Sequence, residues 1–173
     1  TDSGDGGIRI GSTVDLADLT IANNIIYHTN PLASTGFGIV IENGSNSNNF
    51  YIYNNTIYNV GGVGIQHGST SSNVYAKNNI VHTPDSDAAY SGTFDGSSTN
   101  NVSSDGTAPG VNAITNSVPT FNDASAFDLR LSLSDTVARN AGVDLSADVG
   151  YAFSKDIALQ TRGLDGSWDI GAS

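Results

Sequence analysis

The sequence predicts an all-β solenoid of stacked coils, and two columns of repeated residues predict it. One column carries an Asn pair. Leu19-Thr20-Ile21-Ala22-Asn23-Asn24-Ile25-Ile26-Tyr27 returns as Phe50-Tyr51-Ile52-Tyr53-Asn54-Asn55-Thr56-Ile57-Tyr58. It returns again as Asn73-Val74-Tyr75-Ala76-Lys77-Asn78-Asn79-Ile80-Val81-His82. The pairs at 23, 54 and 78 stand 31 and 24 residues apart. The other column is Gly7-Ile8-Arg9-Ile10, Gly38-Ile39-Val40-Ile41 and Gly64-Ile65-Gln66-His67, at spacings of 31 and 26. Short β-rich runs recurring at this period cannot bury an apolar face alone. Each repeat must stack on its neighbours.

Each coil reads as strand, polar turn, strand, Asn-Asn corner, strand. The first strands are expected at 7–10, 38–41 and 64–67, the second at 19–22, 50–53 and 73–76, and the third at 25–28, 56–59 and 80–82. Ile, Val, Tyr and Thr dominate these runs, as suits a pleated, half-buried surface. Alternation puts Ile8, Ile10, Ile39, Ile41 and Ile65 on one face, and Ile26, Ile57 and Val81 form a second inward column. The turns hold Gly, Asn, Ser and Asp, which tolerate left-handed backbone or hydrogen-bond their own main chain. An Asn at a sharp corner adopts positive φ at less cost than most residues, and its amide can bond the coils above and below. The pairs therefore read as structural corners.

The Gly-Ile strand, the Ile-x-Asn-Asn corner and the Ile/Val-Tyr strand that follows resemble the right-handed parallel β-helix of the pectin-lyase-like superfamily, with its asparagine ladder. The resemblance covers roughly residues 1–83 as coils and implies fold more than function, since that superfamily hosts lyases, hydrolases, adhesins and viral tailspikes. Asn101–Gly110 resembles a loop that follows the last coils of bacterial and phage surface β-helix proteins. Phe127–Leu131, Asn140–Asp144, Arg162-Gly163 and Trp168–Ala172 resemble their C-terminal segment, which implies a cap that closes the helix. Residues 84–173 are accordingly expected to form a long loop, further strands near 88–94 and 111–115, and an irregular cap on the same single domain. Tyr90, Phe94, Val111 and Ile114 favour an ordered loop. Phe121, Phe127, Leu129, Leu131 and Leu133 suggest another strand, Asp135–Ala141 a single helical turn, and Trp168 a contact with the bottom coil.

The chain has 173 residues, enough for one domain with a sizeable core. Its net charge of −11 disfavours nucleic acid and anionic membrane as partners. Cysteine is absent, and no apolar run approaches the ~20 residues of a membrane span. Because residue 7 already begins a coil, the upper coil is expected to be covered by preceding sequence, by another subunit of a homotrimer, or by a capsid or surface partner, the alternative being that Thr1–Gly6 folds over as its own short cap.

The catalytic inventory is thin. Lyases of this fold need a basic residue, often beside carboxylate-held calcium. Its hydrolases need two or three Asp. Here Glu42 is the only Glu, the expected coil strands contain no Asp, and Arg9 and Lys77 are the only basic residues in the coils. His67-Gly68 follows Gln66 rather than the Gly of a hydrolase element, His28 falls one place beyond the Tyr27 column, and no metal-ligand spacing links the histidines. Asp144, Asp148, Asp156, Asp165 and Asp169 cluster late, a composition compatible with calcium but without its loop motifs. The aligned column Tyr27, Tyr58 and His82 reads first as a stabilising stack, and otherwise as a polysaccharide-binding face. Two function classes follow. One is a non-catalytic structural or binding module at a cell surface, outside the cell or on a virion. The other is a C-terminal piece of a polysaccharide lyase or glycoside hydrolase.

Overall fold

Each Asn-Asn pair turns the chain sharply between two strands. In this computed structural model, which describes residues 6–11, 18–27, 36–42, 49–68, 73–84 and 87–173, nine strands build three coils. The first coil holds β1 (Ile8–Ile10), β2 (Asp18–Ala22) and β3 (Ile25–Tyr27). The second holds β4 (Ile39–Ile41), β5 (Asn49–Tyr53) and β6 (Thr56–Tyr58). The third holds β7 (Ile65–His67), β8 (Asn73–Lys77) and β9 (Ile80–His82). Equivalent strands pair in parallel and in register. Ile8 faces Ile39 and Ile39 faces Ile65, while Ile26 faces Ile57 and Ile57 faces Val81. The chain is a parallel β-helix whose inward columns form one core, including Ile39, Ile41, Phe50, Ile52, Ile57 and Ile65. β2 begins one residue earlier than expected, so Asp18 joins a strand and sits in register with Asn49 and, beyond it, Asn73.

A fourth coil follows that the sequence pattern hid. β10 (Tyr90–Ser91) pairs with β7, Thr99 bridges Lys77, and β11 (Val102–Ser103) pairs with β9. Asn100-Asn101 is its corner, not part of a trailing loop. The strands expected near 88–94 and 111–115 shrink to β10 and to isolated bridges from Val111 to Thr99 and from Ile114 to Val102. Tyr90 is buried and its hydroxyl donates to the carbonyls of Asn79 and Val102. Val111 faces solvent.

The two residues of each corner divide the labour. The first, at 23, 54, 78 and 100, has φ of 56°, 50°, 55° and 52°, the left-handed region Asn tolerates. The second points inward and builds a ladder. Asn55 Oδ1 accepts from the backbone N and from Nδ2 of Asn24, both at 3.0 Å. Asn79 Oδ1 accepts the same pair from Asn55 at 3.1 and 3.0 Å, and Asn101 Oδ1 accepts from Asn79 at 3.1 and 2.9 Å. Each lower Nδ2 then donates to a carbonyl of the coil above: Asn55 to Ile21, Asn79 to Ile52, Asn101 to Ala76. Buried amides are tolerated because their donors and acceptors are paired.

The outward Asn column holds the C-terminal segment. Asn100 Nδ2 donates to Ala141 O, and Asn78 exchanges two bonds with Val143. Asn54 Nδ2 donates to Gly171 O, and Asn23 Nδ2 donates to Lys155 O. The segment is therefore a strap along the flank, spanning all four coils, where a cap closing the helix end was expected. Gly171 meets this need locally, since at φ 98° a Cβ would lie 2.6 Å from the Ile80 side chain. Trp168 packs with Tyr53, Leu145 and Phe153 on that flank instead of against the bottom coil. Before the strap, β12 (Phe121–Asp123), a 3₁₀ turn (Ala124–Ala126) and β13 (Asp128–Leu131) form an antiparallel hairpin, with Leu133 beyond it exposed. No helix forms over Asp135–Ala141. The buried Asp135 carboxylate instead gathers four backbone N–H groups, from Thr120, Val137, Ala138 and Arg139.

Candidate functional site

Tyr27, Tyr58 and His82 occupy equivalent positions of β3, β6 and β9 and share one outward column, as expected. Tyr58 and His82 stack at 4.7 Å. The column is not open, however. Phe127 stacks on Tyr27 at 4.6 Å, and Phe121 makes a T-shaped contact with Tyr58 at 5.4 Å. The hairpin therefore lies over the column, and only Tyr27 stays well exposed, at 45%. Burial lowers the His82 pKa, and its Nδ1 is buried with no hydrogen-bond partner. The unfolded chain thus takes up a proton that the folded chain resists. The stability contributed by neutral His82 is complete above the ordinary pKa near 6.5 and declines as pH falls below it. Thermal unfolding between pH 7.5 and 5.5 should show this decline, and His82→Phe, which keeps a stackable ring, should flatten it.

His67 ends β7 as expected and is buried, in a T-shaped contact with Phe94 and beside Gly92. His28 lies outside the described residues. Arg9 pairs with Glu42 on the neighbouring coil.

A second outward face, on the sheet of β2, β5 and β8, carries more chemistry. Tyr51 and Tyr75 occupy one column and stack at 5.2 Å. Asn49 Nδ2 donates to Asp18 at 3.0 Å, and Asn73 Nδ2 reaches Asn49 Oδ1 at 3.4 Å, a polar row beside the rings. Strap residues 148–150 overhang them. Asp148 Oδ2 accepts from Lys77 Nζ at 2.6 Å, and Oδ1 accepts from the Tyr53 hydroxyl at 3.1 Å. The Lys77 and Asp148 side chains are only 12% and 9% exposed. Lys77, together with the N–H groups of Gly150 and Tyr151, holds the Asp148 carboxyl below its usual range against the opposing effect of burial. Burial and Asp148 together push the Tyr53 hydroxyl pKa up. The result is a small cleft of about 100 Å³ between two tyrosines and a buried ion pair. The Tyr51/Tyr75 column is visible in the aligned repeats. Asp148 is not, because it arrives from 71 residues beyond Lys77.

The late carboxylates serve the strap rather than one centre. Asp144 caps Ser146 N, Asp156 accepts from Gln160 N, and Asp169 accepts from Asn140 N. Asp165 lies 3.9 Å from Arg139. Among the described residues, no three acidic or histidine side chains converge as a metal site. Arg162 is buried over the Trp168 ring and donates to Asn23 Oδ1 and Gly171 O, and burial lowers its pKa to about 10. Searches of known protein families, of curated proteins and of solved structures give no match to this chain.

Proposed function

We propose that this chain is a non-catalytic structural or binding module of an outer-surface assembly, such as a virion decoration, tail or spike protein or an exported surface protein. The carrying observation is where its polar side chains are spent. The inner Asn side chains stitch coil to coil, and the outer ones bind the strap. Asp105, Asp135, Asp148 and Asp156 each accept backbone N–H groups of turns. Such an allocation supports a stiff, prefolded element. The resemblance to surface β-helix proteins supports the outer-surface setting, and the charge of −11 favours solubility at high local density.

A second reading, a piece of a carbohydrate-active protein, draws on the Tyr51/Tyr75 cleft with its Lys77–Asp148 pair, and on exposed Tyr27. Aromatic rings beside paired polar groups suit saccharide contact. Size-exclusion chromatography with light scattering separates the readings. The expected result is a trimer or larger particle. A monomer that releases unsaturated products from uronic-acid polysaccharides would favour the second reading instead.

A further inference from the structure

We infer that a cleft on the strap binds a small hydroxylated monocarboxylate through Arg162 and the indole N–H of Trp168. Arg162 is only 9% exposed and Trp168 only 6%, and both line a cleft of about 460 Å³ bounded by residues 140–146 and 161–168. The Arg162 guanidinium lies over the Trp168 ring, 5.6 Å from its centroid, which puts both donors on one wall. Nη2 donates to Asn23 Oδ1 and Gly171 O, and Nε reaches Lys155 O at 3.4 Å. Nη1 donates to no acceptor among the described residues, and the guanidinium enters no ion pair there. The Trp168 Nε1–H likewise has no acceptor among them. Neither group is sealed in, because the buried side-chain nitrogens without a partner are those of His67 and His82. Gly163 keeps the indole edge open: at φ 70°, a Cβ there would stand 3.1 Å from Nε1.

Two donors on a buried wall with no acceptor call for an acceptor-rich ligand. A carboxylate offers two oxygens at once to a guanidinium and a neighbouring N–H, and its single negative charge balances one positive charge. A dianion is disfavoured. Asp144 lines the same cleft, Asp156 and Asp169 already act on the Arg162 charge, and the chain carries −11 overall. The rest of the wall suits hydroxyls. Ser154, Thr161 and Ser167 bring hydroxyl groups and Asp144 a carboxylate, a mixed set of donors and acceptors that pairs with a polyol. The volume also suits a ligand of several carbons. This cleft shares no lining residue with the Tyr51/Tyr75 cleft, and ligand binding is read independently of oligomeric state.

Trp168 is the chain's only tryptophan, so its fluorescence and its single indole N–H resonance report on this cleft directly. The test titrates the full chain with sodium gluconate, acetate, sorbitol and phosphate, at constant ionic strength made up with sodium chloride. Gluconate should move both signals saturably and bind at least fivefold more tightly than acetate, with sorbitol and phosphate weaker still. Arg162→Lys keeps the charge but loses the planar fork, and should weaken gluconate at least tenfold. Arg162 also ties Asn23 and Gly171, so a variant that can fold without that loss is needed beside it. Ser167 is exposed and lines the cleft. Ser167→Asp should leave the unfolding midpoint unchanged and, by setting a second negative charge against the ligand, weaken gluconate at least fivefold. An indole resonance unmoved by gluconate would overturn the inference. So would sorbitol or phosphate binding as tightly as gluconate, or a folded Ser167→Asp chain that binds gluconate like the wild type.

Discussion

Replacing Asn79 by Ala should be among the most damaging single changes in this chain, at about 4 kcal/mol. Asn79 is fully buried in the middle of the ladder. Its side chain accepts the backbone and side-chain N–H groups of Asn55 and donates to Ile52 O and Asn101 Oδ1. Truncation leaves buried donors and acceptors without partners on both sides, each worth ~1–3 kcal/mol. That approaches the total of ~5–15 kcal/mol that holds a domain folded. Denaturant titration should show a lower midpoint. Asn79→Asp keeps the shape but loses both side-chain donors and turns an anion toward Asn101 Oδ1. Its carboxyl pKa should rise in the folded state, so relative to the wild type this variant should lose stability as pH rises through the ordinary carboxylate range near 4. A cost under ~1 kcal/mol for Asn79→Ala would mean that neighbouring groups or water replace the rung.

Asp135→Ala should cost a similar amount by a different route. Oδ1 takes Thr120 N at 2.6 Å, and Oδ2 takes Ala138 N at 2.7 Å, Arg139 N at 2.9 Å and Val137 N at 3.2 Å. Hydrogen bonds to a charged acceptor contribute ~1.5–3 kcal/mol each, and not additively. The nest also sets the position of Ala138, whose carbonyl receives Ile170 N. Loss of the carboxylate should therefore loosen residues 137–142 and 168–172 together, read as faster amide exchange in both stretches. Asp135→Asn, which keeps one acceptor oxygen, should fall between the two. Exchange confined to 137–142 would show that the strap holds without the nest.

The contrast between these two sites marks what a sequence reading can reach. The ladder was legible because a solenoid repeats its environment, so equal positions demand equal residues, and Asn23-Asn24, Asn54-Asn55 and Asn78-Asn79 align by eye. The fourth corner, Asn100-Asn101, escaped because its flanking strands shrink to two residues and a bridge, too short for alternation to register. Asp135 looked like the start of a helical turn because an Asp that collects successive N–H groups resembles a helix cap locally. The candidate site was legible as columns but not as surroundings. That Tyr58 lies under Phe121, or Lys77 against Asp148, depends on a strap and hairpin whose place on the flank no local pattern encodes.

The strap has a further consequence for how the molecule folds and fails. A pure solenoid is a one-dimensional array, in which stability spreads only between neighbours and coils can fray one at a time from either end. Here contacts jump the array: Asn23 to Lys155 closes 132 residues, and Asn54 to Gly171 closes 117. Such long closures form late, because their loop entropy is met only after the coils exist. Once made, they tie the fate of the first coil to the last residues of the chain. Melting should then be a single all-or-none transition, where an unstrapped stack of the same coils would unzip in steps.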